Sequence, residues 1–130
     1  MDEDMRILIA DADRPFLEIE REYLRKCGYE VLIASDGPEC STILQEFTPD
    51  VFVLDCELIW AQSVAEAMQK QRGDKPIPAI LISDSNPEES PLISLRLPFA
   101  GWFRKPFAMG DLFQKLVTLG YIPKSAEMPS

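Results

Sequence analysis

The chain has 130 residues, 46% of them hydrophobic, with 13 Lys and Arg against 22 Asp and Glu, a net charge of -9 and no histidine. That length fits one domain with a core of its own. The acidic balance argues against a nucleic-acid partner, whose phosphates need clustered bases, and the missing histidine removes every Ser-His or Cys-His catalytic arrangement. Cys27, Cys40 and Cys56 are odd in number and form no CxxC, which argues for reduced thiols rather than a disulfide framework or a zinc site. The opening "MDEDMR" is acidic where a signal peptide is basic, and no apolar run approaches a membrane span, so a cytoplasmic chain with no membrane partner is expected.

In chain order, "RILIA" (6–10) is short and β-branched and reads as a buried strand. Phe16, Ile19, Tyr23 and Cys27 then repeat near the helical period, and Gly28 supplies a stop. "YEVLIAS" (29–35) reads as a second strand. Cys40, Ile43, Leu44 and Phe47 give a second helical stripe with Pro38 near its start. "VFVLD" (51–55) is a third strand, and Ala61, Val64, Ala65 and Met68 mark a third helix ended by Gly73. "PAILIS" (78–83) is a fourth strand. The segment that follows, "SNPEESPLISLRLP", offers helix starts at Asn86-Pro87 and at Ser90-Pro91, so a fourth helix should be short and irregular. "GWFR" (101–104) is a weaker fifth strand, and Leu112, Phe113, Leu116 and Leu119 form a last amphipathic helix before Gly120. Residues 1–122 read as the domain and 123–130 as a mobile tail. Strand–helix alternation of this kind predicts an α/β fold, a doubly wound five-stranded parallel sheet with helices on both faces.

In such sheets ligands bind beyond the carboxyl ends of the strands. Here those ends carry Asp11, Asp55, Ser83 and Lys105, the last followed by Pro106. Each alone is an ordinary polar residue leaving a strand. Together they suit phosphoryl chemistry: one carboxylate as nucleophile, a second to help hold Mg²⁺, and an ammonium and a hydroxyl to offset charge on the phosphoryl oxygens.

This layout resembles the receiver domain of two-component response regulators, over about residues 5 to 120. "RILIADAD" resembles the family's first strand and acidic pocket, "PDVFVLD" the strand carrying the phosphate-accepting aspartate, "IPAILIS" the strand ending in Ser or Thr, and "FRKPF" the signature lysine before a cis-bonded proline. The resemblance implies a flavodoxin-like topology. It makes Asp55 the phosphoacceptor, with Ser83 and Lys105 assisting; Asp11 and Asp55 become Mg²⁺ ligands, and Pro106 the cis-proline. It further implies a histidine kinase or phosphotransfer protein as donor, and a relay through the face of the fourth helix, fifth strand and fifth helix to a downstream protein. Trp102 falls where the family has a switching Tyr or Phe.

The departures lie in the same places. The second acid of the pocket, commonly a direct metal ligand, is Ala12. Asp13 is one step further and should point elsewhere or cap the first helix. The loop after Asp55, "CELIWAQS", has Ile59 and Trp60 where Pro and Gly are usual, with Glu57 as a candidate substitute metal ligand or a solvated loop acid. Asp84 follows Ser83 where a small residue is usual, and Pro98 stands in place of a glycine. Two alternatives follow: a pseudo-receiver that binds partners without phosphate, and a haloacid-dehalogenase-type phosphatase, which also begins with an apolar strand ending in DxD. The latter leaves Asp55 without a role, and its usual late acidic pair is missing after Lys105. No output domain follows the last helix in this sequence, which suggests a stand-alone receiver or a piece of a longer protein.

Overall fold

The computed structural model of the chain describes residues 5–56, 77–84 and 99–123. Five strands form one parallel sheet in the order β2-β1-β3-β4-β5: β1 (Arg6–Ala10), β2 (Glu30–Ala34), β3 (Val51–Asp55), β4 (Ala79–Ser83) and β5 (Phe99–Arg104). Three helices are described: α1 (Arg14–Lys26), α2 (Gly37–Glu46) and α3 (Met109–Thr118). The last of these is the fifth helix of the sequence reading. The third and fourth, with Glu57, Trp60, Pro98 and the tail from residue 124, lie outside the described residues.

The three inner strands, β1, β3 and β4, are almost wholly buried and apolar because both of their faces are covered. Side chains alternate between faces, and the two core clusters follow that alternation. Leu8 and Ala10 of β1, Phe52 and Leu54 of β3, and Ala79 and Leu81 of β4 pack with Cys40, Leu44 and Phe47 from α2 and its end. Ile7 and Ile9, Val51 and Val53, and Ile80 and Ile82 face the other way and pack with Leu17 and Leu24 of α1 and Leu112 and Leu116 of α3. Burying each such side chain contributes roughly 1.5–3 kcal/mol.

The helices start and stop where their local chemistry dictates. Asp13 and Asp36 are the N-caps of α1 and α2, accepting from the backbone N–H of Phe16 and Glu39. Pro15 and Pro38 sit in the first turns, where a missing N–H costs nothing. At the end of α1, Gly28 takes φ 106°, its N–H donates to the Arg25 carbonyl, and the Tyr29 N–H donates to the Leu24 carbonyl. The end of α3 repeats this with Gly120 at φ 94°, bonded to Val117, and Tyr121 bonded to Leu116. Both are Schellman closures, which need a left-handed residue after the cap.

The stripe Phe16, Ile19, Tyr23, Cys27 does lie on a helix, α1, but it is not the face that the helix buries. Ile19 is 59% and Tyr23 38% exposed, while Leu17, Glu20 and Leu24 are fully buried. The helix is rotated so that its two leucines meet the sheet, which carries an acid into the core between them.

Candidate functional site

The strand order reverses direction between β1 and β3, and the crevice beyond their carboxyl ends is the expected ligand site of such a sheet. Alternation decides which side chains reach it together. Ile7 and Ile9 lead by steps of two to Asp11, and Val51 and Val53 lead to Asp55, so both acids continue the face that α1 covers. Phe103, packed on that same face, leads to Lys105. Ser83 follows Leu81 and belongs by alternation to the opposite face. The last ladder bonds run on into the site: the N–H of Asp11 donates to the Ala34 carbonyl at 3.1 Å, that of Cys56 to Ile82 at 2.8 Å, and that of Lys105 to Ser83 at 2.8 Å. The backbone carrying each candidate residue is therefore held by the sheet.

Lys105 joins the two acids. Its Nζ lies 3.0 Å from Asp11 Oδ2 and donates to Asp55 Oδ2 at 3.0 Å. Asp11, Asp55 and Ser83 are buried, and Lys105 is largely so. Burial works against the ammonium, but the hydrogen bonds to Asp55 and Asp11 outweigh it and hold Lys105 well above the ordinary lysine range. The Lys105–Pro106 peptide is cis. Phe16 lies beneath the ammonium, 5.9 Å from ring centroid to Nζ. It is held edge-on by Phe107 at 5.8 Å, which packs in turn on Phe103 at 5.2 Å.

Other expected participants stand apart. Ala12 is exposed and brings no donor. Asp13 is spent on the helix cap, and its own N–H donates to Asp11 Oδ1 at 2.9 Å, which helps fix that carboxylate. Asp84 is exposed just past Ser83. Trp102, on the edge strand, is 50% exposed. Among the described residues no group of three or more acids, cysteines or histidines is close enough to hold a metal by itself. Two hard carboxylates do suit Mg²⁺, which keeps several waters and is commonly held through only one or two protein carboxylates. The donor types at Asp11 and Asp55 therefore fit that ion.

Two residues near the site went unrecognised in the sequence. Phe16, part of the apolar repeat of α1, also supports Lys105. Glu20 is an acid buried on the inner face of the same helix. Its spacing from Leu17 and Leu24, three and four residues, was the available signal.

The family model described as "Response regulator receiver domain" matches residues 7–117. The fold is similar to that of the chemotaxis response regulator CheY4 of Vibrio cholerae, at 23% identity over 90% of this chain and 99% of that one, with a TM-score of 0.77. A CheY-like receiver domain protein from Methanospirillum hungatei JF-1 gives 24% identity over 89% and 93%, with a TM-score of 0.77. The response regulator TrrA from Thermotoga maritima, solved in complex with Mg(2+)-BeF, gives 27% identity over 88% and 97%, with a TM-score of 0.70.

Proposed function

Since the chain belongs to the response regulator receiver domain family, we propose that it accepts a phosphoryl group on Asp55 from a histidine kinase or phosphotransfer protein. One observation carries this reading: Lys105 Nζ sits 3.0 Å from both the Asp11 and the Asp55 carboxylate at the sheet's switch point. A buried ammonium balanced between two acids is a resting arrangement that an arriving phosphoryl group can displace.

The Asp55 carboxylate is the nucleophile, and an oxygen of it forms the new bond to phosphorus as the bond to the donor nitrogen breaks. Lys105 follows the transferred group and offsets the charge on its oxygens. The Ser83 hydroxyl, held one strand away, donates to another of those oxygens. Mg²⁺, when bound, supplies positive charge that draws the phosphoryl oxygens toward the acids, and Asp11 with Asp55 would hold it. The complex of TrrA with Mg(2+)-BeF supports this for the family at large. In this reading Trp102 on β5, which is half exposed, reports the change at Ser83 to the face formed with the last helix, where a downstream protein would dock.

The experiment is intact mass and site mapping after incubation with Mg²⁺ and a small phosphodonor. The expected result is one phosphoryl group on wild type and none on Asp55→Asn. The loss of an acid at Ala12 and the use of Asp13 as a cap favour a second reading, a pseudo-receiver that binds its partner without phosphate. No modification at any residue would establish it, and modification at Asp11 would favour phosphatase chemistry instead.

A further inference from the structure

Glu20 projects from the inner face of α1, fully buried, and among the described residues neither of its carboxylate oxygens has a hydrogen-bond partner. Leu17 and Leu24 flank it, in a cluster shared with Val31 and Ile33 of β2 and Leu112 and Leu116 of α3. A carboxylate ionised in such a place is costly, so the group keeps its proton.

Glu20 stands one turn after Phe16, whose ring lies 5.9 Å from Lys105 Nζ, on the side of α1 that covers the sheet face leading to Asp11 and Asp55. The charges that act on it are those of this pocket, with Asp13 at the helix cap. Most of the other charged groups on the elements around it are paired with one another, and Arg25 of α1 is exposed. On α1 itself, Arg14 pairs with Glu39 and Glu18, Arg21 with Glu18, and Lys26 with Glu22. Arg6 of β1 pairs with Glu30 of β2. On α3, Asp111 is exposed and Lys115 lies across Gly101.

We propose that the proton of Glu20 is linked to the charge of the Asp11–Asp55–Lys105 pocket, kept while Lys105 alone faces the two acids and released to solvent when positive charge is added there. Burial first, and Asp11 second, push the Glu20 carboxyl up to about 8, while Lys105 pulls it down. A divalent cation beside Asp11 and Asp55 would act in the same sense as Lys105, with twice the charge. By reciprocity, ionised Glu20 strengthens cation binding by the same factor that the cation favours ionisation. The pocket would then grip a cation more tightly as pH rises toward 8 and beyond. This cation arm rests on the receiver reading, and the link to pocket charge does not.

The test is a carboxyl-carbon NMR titration of Glu20 in wild type, Asp11→Asn and Lys105→Gln, each shown to be folded by its spectral dispersion. The expected wild-type midpoint is near 8. Asp11→Asn should lower it and Lys105→Gln should raise it, each by about one pH unit. Saturating Mg²⁺ should lower it in wild type. A midpoint in the ordinary glutamate range, or one that neither substitution moves, overturns the proposal. So does Mg²⁺ that shifts the Asp11 and Asp55 resonances and leaves Glu20 unmoved. If no carboxyl resonance answers to Mg²⁺, the cation site of the receiver reading is refuted, while opposite shifts in the two variants still support the link.

Discussion

Ala12 lies between a carboxylate fixed by Lys105 and one spent on a helix cap. Its methyl group brings no donor, so among the described residues the pocket has two acids, Asp11 and Asp55. Losing even an indirect partner of a metal ligand typically costs about 10–100-fold in affinity, and a direct carboxylate should cost at least as much. Ala12→Asp is therefore expected to tighten Mg²⁺ binding by roughly tenfold or more, read by calorimetry or tryptophan fluorescence. The added like charge should also lower the stability of the metal-free protein. An unchanged affinity would mean that the pocket is limited by something other than the missing acid. Glu57→Gln belongs in the same titration. If it alone abolishes binding, the third acid has moved along the chain.

At the scale of elements, the turn chemistry was legible because it is local. Gly28 and Gly120 marked helix ends from sequence, and both take positive φ in complete Schellman closures. Tyr29 then ties the two closures together, its hydroxyl donating to the Tyr121 carbonyl at 2.5 Å. Gly120→Ala isolates the backbone contribution, since an added Cβ would meet nothing within 4 Å. The expected cost is about 1–2 kcal/mol, all of it from the left-handed conformation, measured as a shift in the urea midpoint at constant slope. A neutral substitution would show that the helix end readjusts freely. The face of α1 was not legible in the same way. Ile19 and Tyr23 keep the helical period as well as Leu17 and Leu24 do, and only the sheet selects between two stripes that differ by a small rotation.

For the whole molecule, Glu20 gives stability an unusual pH dependence. Its folded-state value is raised from 4.5 to about 8, so the folded chain holds a proton that the unfolded chain has lost. Stability from this group is complete below pH 4.5 and declines as pH rises, until the folded group also ionises near pH 8. The loss across that window is up to about 5 kcal/mol, at roughly 1.4 kcal/mol for each pH unit of difference. Urea unfolding at pH 5.5 and pH 8 should show wild type distinctly weaker at the higher pH. Glu20→Leu should remove most of that slope and be the more stable protein at pH 8. An equal slope in both would place the dependence on other groups. Lys105 does not contribute to this window, because its shift is upward from a value already above it.

The strands, their order of appearance, the helix caps and the identity of the four residues at the strand ends were determined by the sequence alone. These are short-range matters of apolar runs, period-two alternation, and Asp, Pro and Gly at turns. Asp11 and Asp55 share a face with Lys105 for a reason already present in the chain: each stands two steps beyond an apolar residue of that face. Only the tertiary structure decided that the three meet at 3.0 Å, because residues 44 and 50 positions apart are joined by strand pairing and not by local propensity. Only it decided the rotation of α1, and with it the burial of Glu20. A lone acid in an amphipathic helix reads as solvent-facing by its chemistry. The energy of seating Leu17 and Leu24 against the sheet overrides that preference.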